Sequence, residues 1–260
     1  VSSIARRVNA QRILVLSWPR AILLQLAHPL VAAGVMDHSS FRRGPLTAVR
    51  RLHETVRAML SLTFGDRAEH ERSIERILAI HRRVNGTLRQ PVGSFEAGTR
   101  YSAEDPDLVL WVHVTLIESV IIFYERVVAP LDEAERDTYC DEAAIVAEEL
   151  GASSTAVPRT WPALLEYLDA THRSGRIAVG PDARAVAGAV LEPPSGWLAW
   201  PLTRLNRTVT LGLLPAEVRS QYGYGWTERQ ERAFARDMRW LAASRRWAPS
   251  AIALWPEARL

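Results

Sequence analysis

The residues of this chain most capable of chemistry are histidines set in apolar surroundings. The stretch QLAHPLVAAGVMDHSSF carries His28 and His38 at either end of an alanine-rich run. An imidazole costs free energy to bury unless it finds a partner. His81 lies on the stripe Ile74, Ile77, Leu78, His81 and Val84 within SIERILAIHRRV, and His113 sits in LVLWVHVTLIES. A neutral imidazole projecting into an apolar cavity is what haem iron takes as an axial ligand. Plainer roles stay open for both. His81 can be a core histidine bonded to a carbonyl, and His113 can pair with Glu118 or a neighbouring helix. Arg51 and Thr55, four residues apart, share a helix face with Ala48, Ala58 and Leu62. A guanidinium beside a hydroxyl there can hold an anionic group or a bound oxygen species, or the Arg can extend to solvent along its apolar stem.

The remaining histidines carry less. His70 in DRAEHERS reads as solvated, and His172 near a helix end suits the helix dipole. His53 shares a face with Leu46, Val49, Val56 and Leu60 and reads as a core histidine. Other metal chemistries lack their residues. A di-iron carboxylate bundle needs paired Glu-x-x-His repeats; only Asp169–His172 approaches that spacing, without a twin. HExxH, GxSxG and CxxC are absent. The single Cys140 cannot form an intramolecular disulfide, which suggests a reducing, cytoplasmic setting. All 32 basic residues are Arg, so no lysine is available for a Schiff base or a phosphate loop. The net charge of +3 is dispersed in short pairs, which gives no footprint for nucleic acid.

Positioning these side chains falls to helices. At 260 residues and 48 % hydrophobic content, the chain can form a single domain over 1–260 large enough to enclose a cofactor. PLTAVRRLHETVRAMLSLTFG opens with a first-turn proline and closes at Gly65. Asp105-Pro106 caps a segment that is apolar nearly all round and ends before Pro130, the mark of a central helix. Further helices are expected at 132–150, 158–172, 181–191, 198–213, 215–221 and 227–246, with GSFEAGTRYSAED as a loop and no convincing strand. The greasiest windows, 21–36 and 108–123, fall short of the ~20 residues that span a bilayer and read as buried helices. Within the first, Pro29 should bend the chain. On an ideal helix His28 and His38 would point roughly 80° apart, too far to ligate one metal together. His28 then reads as a structural partner at the bend, and His38, with Asp37, as a pocket-lining or capping residue. The fold class is all-α. Nine Trp, notably in GWLAWPLTRL and RRWAPSAIALW, could serve core packing, a subunit interface or peripheral membrane contact.

Five strings in order, RAILLQLAHPLVAAGVMDHSSF, RRLHETVRAMLSLTFGD, IHRRVNG, YSAEDPDLVLWVHVTL and LLPAEVRSQYG, resemble the family of the fungal mycophenolic-acid-pathway oxygenase and the bacterial rubber oxygenase catalytic domain. The resemblance covers about residues 20–225. It implies a globin-like helical fold holding haem b, with O₂-dependent chemistry on a hydrophobic, isoprenoid-like substrate. The family's Arg-x-x-x-Thr pair falls on Arg51 and Thr55, and its proximal haem histidine on His81, with His113 as the rival. Two departures accompany it. The iron-capping Lys of rubber oxygenases is Glu54 here, and the acid nearest to their proposed base is Asp37. A small apolar metabolite therefore fits better than polyisoprene.

Overall fold

The computed structural model describes residues 3–38, 45–192 and 200–259, with the side chains of 45–52 and of 259 outside the description. Among the described residues the chain forms thirteen α-helices and one short antiparallel hairpin. Helices α1 (Ile4–Asn9), α2 (Trp18–Leu26), α3 (Pro29–His38), α4 (Pro45–Phe64) and α5 (Arg67–His81) precede the strands β1 (Asn85–Thr87) and β2 (Arg100–Ser102). Then come α6 (Pro106–Val127), α7 (Glu133–Glu149), α8 (Trp161–Arg173) and α9 (Pro181–Leu191). The chain closes with α10 (Trp200–Leu213), α11 (Ala216–Gln221), α12 (Glu228–Trp247) and α13 (Ser250–Ala253).

The caps explain where the helices begin. Asp66, Asp132 and Thr227 each form a reciprocal capping box with the residue three positions on, and Asp105 accepts from the Asp107 amide. Between them they satisfy amides that the first turn leaves unpaired. α6 is the central element: Trp111, Val114, Ile121 and Phe123 are buried, and it packs against α2, α7, α8 and α12. It is the one described helix long and apolar enough to cross a membrane, but most of that window is buried among its neighbours.

The bend expected at Pro29 is present: the axis turns by 110° between the segment Arg12–Leu26 and α3. His28 sits in that corner, with Pro29 as the first residue of α3, where its missing amide costs nothing. The segment expected as a loop contributes β2. In the hairpin Gly86 lies opposite Tyr101, and a Cβ on Gly86 would come 2.5 Å from the Tyr101 hydroxyl. Only glycine lets the ring lie flat there. The hairpin packs on α3, and Leu30, Ala33, Leu88, Tyr101 and Leu108 form a small second core between them.

Candidate functional site

The α4–α5 pair carries three of the expected site residues. Gly65 and Asp66 join the two helices, and the Nδ1 atom of His70 lies 3.2 Å from the Leu62 carbonyl beside that turn. Arg51 lies in the first half of α4, and His81 is the last residue of α5. Thr55 lies one turn from Arg51 and is exposed. The Arg51 side chain is outside the described residues.

His81 has the chemistry of a donor. Its Nδ1 is buried without a hydrogen-bond partner. Desolvation lowers its pKa, opposed by the nearby charge of Glu104, so the ring is held neutral. The stripe leading to it is only partly covered. Ile74 is buried, but Ile77, Leu78 and His81 remain partly accessible, and Ile80 is 56 % exposed. Sequence periodicity predicts that this face is apolar; it does not predict that neighbouring helices leave it half open.

His113 lies elsewhere, on α6. With Val112 and Leu116 it forms a partly accessible strip on an otherwise buried helix. Desolvation, the sole cause, pushes its pKa down to about 4. Its proposed partner Glu118 is taken: Arg20 donates to both carboxylate oxygens at 2.7 and 3.1 Å, to Ser119 Oγ at 2.6 Å and to the Leu213 carbonyl at 2.8 Å. No pattern in the sequence singles out Arg20, because its acceptors come from positions roughly a hundred and two hundred residues away.

The other expected residues serve contacts of their own. His28 is 4 % exposed, with Nδ1 unpaired; its ring lies 5.2 Å from that of Phe95 and 6.5 Å from that of Trp111. Burial, aided by Arg176 and opposed by Asp107, lowers its pKa to about 4. His172 packs edge-on against the other side of this group, 5.9 Å from Trp111, and binds the Leu168 carbonyl through Nδ1. The partner found for His28 at the bend is therefore aromatic rather than a hydrogen bond. Asp37 and His38 tie α3 to the hairpin. The Tyr101 hydroxyl donates to Asp37 at 2.7 Å, Arg89 pairs with the same carboxylate, and His38 Nε2 lies 3.1 Å from the Asn85 carbonyl. His53 is exposed rather than in the core. His70 is not simply solvated: Glu149 lies 2.7 Å from its Nε2 and raises its pKa. Cys140 is buried, and desolvation pushes its thiol up to about 12, which removes it from nucleophilic chemistry. No cluster of three metal-ligating side chains occurs among the described residues.

His81 thus joins a partly open apolar strip to an unpaired ring nitrogen, and His113 lies on a second partly accessible strip. The class can be named from the sequence of the whole chain: residues 5–243 match the family model described as ER-bound oxygenase mpaB/B'/Rubber oxygenase, catalytic domain, and the chain belongs to that family. Neither the curated proteins nor the solved structures yield a match.

Proposed function

We propose that this protein is a haem-b-dependent oxygenase acting with O₂ on a small hydrophobic, isoprenoid-like substrate in a globin-like helical pocket, with His81 as the side chain that would hold the iron. The observation that carries the reading is the half-open apolar stripe of α5 ending in an imidazole with a buried, unpartnered nitrogen. These residues fit the group. A neutral ring offers a lone pair to iron, and Ile77 and Leu78 offer an apolar surface to a macrocycle. When bound, the haem supplies the oxygen chemistry that no side chain here can perform. The chain's own contributions are binding and polarity. Arg51 on α4 would supply a cation for negative charge on bound oxygen or for a propionate. Thr55, one turn away, would add a hydroxyl. Asp37 and His38 would keep α3 clasped to the hairpin.

The test is an absorption spectrum of the purified protein with and without dithionite, followed by variants. A Soret band that His81→Ala abolishes supports the assignment. A band unchanged in His81→Ala but lost in His113→Ala moves the ligand to α6. A protein that stays colourless when made with ample haem and iron sinks the proposal. In the haem-loaded protein, Arg51→Leu should keep the Soret band and lower reductant-driven O₂ consumption about 10²-fold, the usual loss for one preorganised donor. Indifference to that change would mark a haem carrier rather than an oxygenase.

A further inference from the structure

The C-terminal helix carries a repeat that the oxygenase reading does not use. Arg239-Trp240 recurs seven residues later as Arg246-Trp247. Seven residues make almost two turns, so both arginines fall on one line along α12 and both indoles on a line beside it. The opposite side of the helix is its core side, where Phe234, Met238 and Leu241 are buried. The repeat therefore faces outward. Trp240 is 59 % exposed, Trp247 82 %, and Ile252 on the following α13 turn 65 %. Ala243 and Ser244, which separate the two tryptophans, are small and exposed, so nothing on α12 itself shields the indoles.

The charge on this face is of one sign. No acidic residue occurs from Met238 to Pro256. Asp237, just before it, turns inward, is buried and pairs with Arg236. Arg239 and Arg246 make no ion pair among the described residues, and the Arg246 guanidinium lies 6.0 Å from the centre of the Trp247 ring. Indoles settle at the headgroup level of a bilayer, and adjacent arginines are attracted to anionic headgroups. A second copy of this face is a poorer occupant. It would bring four arginines together with no carboxylate between them.

We propose that the outward face of α12 and the α13 turn docks on an anionic lipid surface through the repeated Arg-Trp pair. The experiment is co-sedimentation of the full chain with vesicles of two parts phosphatidylcholine to one part phosphatidylserine, against vesicles of phosphatidylcholine alone. Binding is expected to the mixed vesicles only, and to weaken as salt is raised. Arg239→Glu with Arg246→Glu should reduce it at least about 20-fold, since each surface arginine contributes roughly fivefold. Trp240→Ser with Trp247→Ser should reduce binding and remove the quenching of tryptophan fluorescence by brominated lipid. Circular dichroism unchanged in both variants shows that they fold. The proposal is overturned if the parent protein ignores mixed vesicles, or if either folded variant binds as well as the parent. It is equally overturned if the parent is a dimer that these substitutions turn into monomers, because the face would then belong to a second copy.

Discussion

Arg20, 2 % exposed, has a guanidinium surrounded by four acceptors, and its pairing with Glu118 is the most enclosed ion pair among the described residues. Such a pair adds little against an apolar alternative, but losing one partner strands a charge in the interior. Glu118→Gln should therefore cost about 3–5 kcal/mol in urea denaturation, whereas Arg20→Met with Glu118→Leu should recover most of that loss. Two desolvated histidines set the response to acid. His28 and His113 are each lowered to about 4, against about 6.5 in the unfolded chain. Above pH 6.5 both states are neutral at these sites and the linkage is silent. As pH falls below 6.5 the unfolded chain takes up protons that the folded protein refuses, so stability declines until about pH 4, where the folded rings titrate too. For His28 the full loss is on the order of 3 kcal/mol. His28→Leu should flatten the curve of melting temperature against pH within that window. An unchanged slope would mean that the ring is solvated in solution. His70 has the opposite sign: Glu149 raises its pKa, so its contribution is present at low pH and fades as pH rises through the raised value.

At the scale of elements, close approaches decide more than propensities. Gly212 on α10 lies against the Phe234 ring of α12, where any Cβ would overlap it. Gly212→Ala should cost about 1–3 kcal/mol by forcing the two helices apart, visible as a lower melting temperature. The neighbouring Gly188 on α9, with nothing close to its missing Cβ, makes the control: Gly188→Ala should be neutral or slightly stabilising. These contrasts also show what can be read along one chain. Some helix ends were legible from a first-turn proline: Asp105-Pro106 opens α6, and Pro45 and Gly65 bracket α4 as expected, but α8 begins at Trp161 after its Thr160 cap rather than at Pro158. The corner at His28 was signalled by Pro29, whereas the hairpin was not. Three-residue strands are too short to show alternation, and they persist because Tyr101 reaches Asp37 on another element. A pairing between residues 64 positions apart leaves no periodic trace.

For the molecule as a whole, burial is uneven. The main apolar cluster gathers around α6 and draws on α2, α7, α9 and α12. The α4–α5 pair contributes little to it: of its described side chains only Leu60, Ser73 and Ile74 are buried. Residue type and spacing single out His81, Arg51 and Thr55 as candidates. The half-covered stripe that leads to His81 arises from packing and leaves no trace in the sequence. Regions with few buried contacts open with lower free energy than the core. The haem-free protein should accordingly exchange the amides of α5 with deuterium well before those of α6. A group that binds the folded pair and not the opened one stabilises it by about 2.7 kcal/mol at a hundred times its dissociation constant. Adding hemin to the haem-free protein should therefore slow exchange along α5 about a hundredfold, with little change at the ends of α12. The slowing should vanish in His81→Ala. Protection appearing along α6 instead, and surviving that substitution, would place the macrocycle beside His113.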